Sequence, residues 1–501
     1  MRISSIPVAL ALALVALEPP AAAADDPNAG SWRLIVLTSP TQVAVPPPAP
    51  VSDAAYQSEL AAVKLAQSQM TDAQRKSLEY WSKGGILRWN EILLELVAKA
   101  NLPPAPTESG TYPFPDPNNP FAEPTFPFAN PPYAARAYAY VSVAQYEALK
   151  VAWHYKYLYN RPAPARVDPG VQSIGPASDL PAYPSEAAVI SGVTTAMLQL
   201  LFPTDVELVT LKAGEQRQAA LLSGRATASD VAAGLALGQA VANIIITRAR
   251  GDGMGAAAGN AAIWQALADQ TAARGEIPWR SLESPPRPPM LPLFGRVTPW
   301  MMTTADIVAE RPGPPPSTRS EQMARELKEV KDTAQKLTRS QLAIAFKWAD
   351  GLGTPTPPGH WNFIAAPHIV AAGFSEVRAA RAFSLLNMAL HDAAVGCWDA
   401  KFTYFNPRPS QLDSSIRTSI GLPNFPSYTS GHSTFSAAAA EVLSYLFPGS
   451  AASFEADKEE ASISRLYAAI HYRSDIETGK DHGKRIGGYT VRFARQDGAD
   501  Q

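Results

Sequence analysis

Apolar and small residues recur along this chain in long, alanine-rich runs of helical character, such as Thr434 to Phe447, and no sustained two-residue alternation calls for a large sheet. The runs are separated by proline. Of 47 prolines, one dense group lies at 103–132 and another at 285–316. Proline in a helix interior removes a hydrogen bond and clashes with the preceding turn, so both groups read as irregular connections between helical blocks. The N-terminus has a pattern of its own. Met1-Arg2 is followed by a short apolar run from Pro7 to Leu17 and by small residues from Ala21 to Ala24. This reads as an export signal at 1–24, cleaved after Ala24, with the mature protein periplasmic or secreted. No other segment has about 18 uninterrupted apolar residues, so no transmembrane segment is expected in the mature chain.

The helical blocks repeat. Ala134-Ala135-Arg136-Ala137 returns as Ala379-Ala380-Arg381-Ala382, Trp153 as Trp398 and Lys156 as Lys401, all at an offset of 245. Upstream, Trp81 pairs with Trp348 and Gly84 with Gly351 at an offset of 267. About 22 extra residues therefore belong to the first copy, where the first proline-rich stretch lies. The expected fold is all-α, two related helical bundles from an internal duplication. The expected organisation is an N-terminal extension at 25–54, a degenerate copy at 55–253, a proline-rich linker at 254–320 and a catalytic copy at 321–501.

Composition narrows the class. A length of 501 residues exceeds one core, in keeping with two bundles. The formal net charge of −2 argues against a general nucleic-acid binder. The single cysteine, Cys397, permits no internal disulfide and reads as a small buried apolar residue.

Duplication supplies an internal control: what both copies keep is structural, and what one copy alone carries is a candidate for chemistry. Three segments of the second copy stand out. In Pro426-Ser427-Tyr428-Thr429-Ser430-Gly431-His432-Ser433, a small-residue turn opens a helix and aims backbone N–H groups at an anion. Ser430 adds a hydroxyl and His432 a group that titrates near neutrality. Placed against Pro184-Ser185-Glu186-Ala187-Ala188-Val189-Ile190, the Ser430-Gly431-His432 triplet falls on Ala188, Val189 and Ile190. The second segment runs from Ser464-Arg465 to His471 and Asp475. One helical turn separates His471 from Asp475, so the carboxylate can fix the imidazole's orientation and tautomer. Asp475 also has a capping role open to it, because Asp230 mirrors it in the first copy. Arg465 and His471 fall on Ala220 and Ala226. In the third segment Lys401 and Arg408 are two cations able to converge on one oxyanion. The first copy keeps Lys156 and Arg161, so this pair discriminates less.

In order and spacing these segments resemble the three-part signature of the vanadium-dependent haloperoxidase and type 2 phosphatidic acid phosphatase (PAP2) superfamily. It is complete at Lys401, Arg408, Pro409, Ser430, Gly431, His432, Ser464, Arg465, His471 and Asp475, with Thr429 where the family has proline. The resemblance implies that vanadate is the cofactor, with His471 the axial ligand to vanadium. Lys401, Arg408, Arg465, Ser430 and the Gly431 N–H would neutralise its oxygens. His432 would serve as acid–base, and Lys401 would polarise peroxide. The product would be oxidised halide. The alternative is an acid phosphatase without cofactor, in which His471 attacks phosphorus to give a phosphohistidine, His432 protonates the leaving alcohol and Asp475 orients His471.

Trp398 and Phe425 resemble the apolar halide pocket of fungal chloroperoxidase, although Trp153 and Tyr183 answer them in the first copy. His391 reads as a core histidine, His360 as a candidate neighbour of the site and His482 as solvent-facing. The expected partners are small molecules, either peroxide and halide or a phosphate ester. A homodimer is compatible with the large apolar helix faces.

Overall fold

The computed structural model describes residues 26–103, 106–111, 128–175 and 179–500, so the export-signal reading falls outside the described residues. These form helices and connections, with no strand among them. The first copy comprises α1 (Ala54–Ser68), α2 (Asp72–Trp81), α3 (Gly85–Ala100), α4 (Pro131–Tyr159), the single turn α5 (Pro164–Val167), α6 (Glu186–Leu201), α7 (Val206–Leu222) and α8 (Ala228–Arg250). Two linker helices follow, α9 (Ala261–Ala273) and α10 (Thr304–Glu310). The second copy repeats the series: α11 (Glu321–Gln335), α12 (Arg339–Lys347), α13 (Thr356–Ala371), α14 (Glu376–Tyr404), the single turn α15 (Pro409–Leu412), α16 (Gly431–Leu446), α17 (Ala451–Tyr467) and α18 (Arg473–Ala494).

Local chemistry sets these boundaries. Thr71 and Thr338, at matched positions, close capping boxes with Gln74 and Gln341. Asn130 and Ser375 cap the long central helices α4 and α14, each of 29 residues. Those helices pack against each other at the centre, where Asn387 on α14 donates to Ser142 on α4, its own counterpart in the repeat (387 − 142 = 245). Asn90 and Asn362, also equivalent, bond across the same interface at 3.0 Å. The bundles are thus fused through a pseudo-symmetric core, and the extension at the N-terminus ties both. Glu147 of α4 accepts from the N–H groups of Ile35, Val36 and Leu37, and Asp26 pairs with Arg378 of α14.

In each bundle the close pair of helices is α6 with α8, or α16 with α18. Glycine permits it. Gly479, Gly483 and Gly487 lie on one face of α18, and a Cβ at Gly483 would stand 2.1 Å from the Thr434 carbonyl oxygen. Gly234 and Gly238 do the same in α8, against the carbonyls of Ser185 and Val189. This contact presses the N-terminus of α16 onto that of α18, where the Ser430 N–H donates to the Asp475 carbonyl at 2.9 Å. By length and mean hydropathy (1.5) the segment Ala228–Ala256 alone among the described residues could cross a membrane, and here most of it is α8, packed on α6 and α4.

Gly483→Ala should therefore destabilise the protein by about 1–3 kcal/mol, because a backbone carbonyl cannot yield as a side chain can. Gly449→Ala, whose Cβ would meet nothing within 4 Å, is the control. Urea denaturation compares them, and equal midpoints would remove the close contact from the account.

Candidate active site

The repeat also fixes the register of the two copies at the site. Helices α6 and α16 begin and end at an offset of 245 (431 − 186 = 446 − 201). This corrects the sequence comparison, which slipped by three residues at the proline. Ser430 is matched by Ser185, Gly431 by Glu186 and His432 by Ala187, and Tyr183 answers Tyr428 rather than Phe425. The first copy keeps the serine and loses the glycine and the histidine.

In the second copy the three segments meet at the N-termini of α16 and α18. Lys401, Arg408, Ser430 and Asp475 are fully buried, Arg465 and His471 are 2% exposed and His432 is 9% exposed. The His471 Nδ1 lies 2.9 Å from Asp475 Oδ2, and its Nε2 lies 2.9 Å from Arg408 Nη1. A guanidinium only donates, so Nε2 accepts, and the proton sits on Nδ1 facing the carboxylate. Asp475 also accepts from the Tyr472 N–H, so the capping and orienting roles belong to one carboxylate. Ser427 donates to the same oxygen, Asp475 Oδ2.

Arg408 is further held by the carbonyls of Phe425 and Ile470, which leaves its Nη2 buried without a partner among the described residues. Arg465 donates to the Trp348 carbonyl at 2.6 Å, and its Nε is likewise unpartnered. Lys401 Nζ donates to the carbonyls of Pro426, Ser427 and Thr429, bracing the loop that leads into α16. Phe425 lies between the two cations, its ring centre 5.0 Å from Lys401 Nζ and 5.1 Å from Arg408 Cζ. Ser430 caps α16 by accepting from the Ser433 N–H, and Gly431 is the first residue of that helix.

Burial dominates the electrostatics. It draws Arg408 down to about 9 and Arg465 to about 10, and it lowers Lys401. Burial and then Arg408 push His471 well below its usual value, so the imidazole is neutral. Burial and then Arg465 bring His432 down to about 4. Asp475 is raised by burial, against the pull of Ser427 and the cations. Three cations around one fully buried carboxylate leave a surplus of positive charge, and unpaired buried guanidinium N–H groups are costly. This donor set repels a bare metal cation and suits a tetrahedral oxyanion. Vanadate fits it: His471 Nε2 offers the lone pair a vanadium ligand needs, and Arg408, Arg465, Ser430 and the Gly431 N–H offer donors.

Two site residues escaped the sequence reading. Asp350 accepts from both His360 Nδ1 at 3.0 Å and His432 Nε2 at 3.2 Å. Burial alone would raise its carboxyl, yet the two imidazoles hold it well below the usual range. It sits in a loop where the second copy is five residues longer, 13 from Trp348 to Trp361 against 8 from Trp81 to Trp89. That length difference was the available signal. Ser427 was the other, a polar residue where the first copy has Ala182. His360 is placed next to the site through Asp350, with its ring stacked on Trp348 at 4.2 Å. His391 is a core residue beside Asp392, whose carboxylate accepts from the N–H groups of Trp300 and Met301. His482 corrects the reading as solvent-facing: it is fully buried against Gly396, and burial lowers it to about 3.

The first copy fills its own cradle. Glu186, standing where Gly431 stands in the second, reaches Lys156 Nζ at 2.8 Å. Burial opposes its charge, but Lys156 brings the carboxyl below its ordinary value. Arg161 lies over the Tyr56 ring and 3.5 Å from Asp230. An internal carboxylate therefore takes the place a soluble oxyanion would occupy.

Residues 381–497 match the family model of the PAP2 superfamily. No curated protein matches the sequence. Among solved structures the chain is similar to the crystal structure described as the first bacterial vanadium-dependent iodoperoxidase, at 20% identity and a TM-score of 0.58, over 81% of this chain and 95% of that one. It is also similar to a holo-type bacterial vanadium-dependent chloroperoxidase, at 13% identity and a TM-score of 0.51, over 80% and 97% of the two chains. The chain has the vanadium haloperoxidase-like fold, two helical bundles in tandem. The match to the PAP2 superfamily model lies within its second bundle.

Glu186→Ala leaves Lys156 buried without its carboxylate and should cost up to about 3–5 kcal/mol of stability. Equal urea midpoints for the variant and the parent would show that the first copy does not depend on this internal pair.

Proposed function

We propose that this chain is an exported, vanadate-dependent haloperoxidase-type enzyme that oxidises halide with hydrogen peroxide. The observation that carries the reading is the buried cationic cradle around a neutral His471 whose Nδ1–H is fixed by Asp475. The likeness to vanadium-dependent peroxidases across both bundles supports it over the phosphatase reading.

Vanadate, when bound, supplies a Lewis acid that makes peroxide an electrophilic oxygen donor. The protein's residues do the rest. His471 presents Nε2, and Asp475 keeps that nitrogen unprotonated. Arg408, Arg465, the Ser430 hydroxyl and the Gly431 N–H stabilise negative charge from fixed positions, with little reorganisation during reaction. Lys401 sets the loop that carries Ser430 and adds to the local positive potential. His432, neutral above about 4, takes the proton of incoming peroxide, and Asp350 fixes its ring. The second reading is a phosphohistidine-forming acid phosphatase, because the same unprotonated Nε2 is what nucleophilic attack on phosphorus requires.

Vanadate-loaded protein should brominate a dye with peroxide and bromide, and the vanadate-free protein should not hydrolyse an aryl phosphate. Hydrolysis without bromination would select the phosphatase. His471→Ala should abolish whichever activity is present, and Ser430→Ala should lower the rate about 10²–10³-fold. The pH dependence separates the readings further. As a base, His432 must be neutral, so the rate should hold at neutral pH and fall as acid approaches its value. A bound oxyanion raises that value without inverting the slope. As the acid that protonates an alcohol, His432 must be charged, and the rate would instead climb in the same range.

A further inference from the structure

The cradle forms the floor of a cavity of 590 Å³, reached at His471, His432, Gly431 and Arg465. Its wall is largely apolar. Phe435, Trp279, Met290 and Leu422 line it, and Leu282 and Leu352 stand at the rim with 42% and 61% of their surface exposed. The wall is a composite: Trp279, Leu282 and Met290 come from the linker, and Leu352 from the loop that the second copy alone lengthens. Of the charged side chains near the mouth, Glu283 and Arg287 pair with each other at 2.6 Å, and Arg280 adds a positive charge beside them.

Peroxide and halide do not need such a space. One water molecule takes up about 30 Å³ of liquid, so the two small reactants would fill only a minor part. Cavities of several hundred Å³ with mostly apolar walls and a few polar groups at one end suit an organic ligand. Apolar side chains left facing water around a concavity point the same way.

We propose that this funnel binds an aromatic or similarly apolar organic molecule and holds its reacting end against the cradle. The inference rests on the oxyanion reading of the cradle. In a haloperoxidase the bound molecule is the acceptor of the oxidised halogen, so halogenation takes place within the protein. In a phosphatase it is the alcohol portion of the ester.

Calorimetric titration of the vanadate-free protein with inorganic phosphate, 1-naphthyl phosphate and 2-naphthol tests this. The naphthyl ester should bind about tenfold or more tightly than phosphate, since burying a ring removes apolar surface from water. Naphthol alone should bind measurably. Leu352→Asn and Leu422→Asn should remove the ester's advantage and, adding no charge, leave phosphate affinity unchanged; Leu352 is exposed, so its variant puts folding at little risk. An ester that binds no better than phosphate, or an advantage that survives both substitutions, overturns the proposal. If phosphate fails to bind while naphthol binds and the substitutions weaken it, the cradle reading falls and the funnel stands. If naphthol and the ester both fail to bind, the funnel proposal falls.

Discussion

The close approach of two helices, made possible by glycine, governs the second bundle. Where Gly479, Gly483 and Gly487 of α18 face α16, backbone meets backbone. The N-termini of the two helices then lie side by side, joined by the Ser430–Asp475 backbone bond. Much of the cradle depends on that junction. Ser430 and Gly431 open one helix, Asp475 sits in the first turn of the other, and His471 and Arg408 lock onto each other beside it. Small residues at this contact are a geometric requirement, because any Cβ would push the two termini apart.

The first bundle keeps the junction and abandons the chemistry. Gly234 and Gly238 repeat the contact, and the Ser185 N–H donates to the Asp230 carbonyl as Ser430 does to Asp475. Charge decides the difference between the copies. A cradle of buried cations is unstable unless something negative sits in it. Glu186 does so in the first copy, whereas in the second Gly431 puts no side chain there. The loss of the Arg465 equivalent, as Ala220, removes one cation, so that Lys156 and Arg161 face two carboxylates, Glu186 and Asp230. The first bundle also has a positive role. Its long central helix supports α14, and the linker that follows it supplies much of the cavity wall above the cradle.

The amino-acid sequence by itself determined the helical class, the duplication and the signature residues, because each is written locally. Helical spacing, proline punctuation and fixed offsets need no third dimension, and a charge motif with strict spacing constrains few possible chemistries. Only the tertiary structure decided the register at the proline, where a three-residue slip hid Glu186 opposite Gly431. It alone showed that Asp350 braces His432, since those residues are 82 apart in the chain and meet only when α13 and α16 pack. The burial of His482 and the apolar funnel were equally out of reach. Both depend on which faces of distant helices turn inward, and packing sets that where spacing does not.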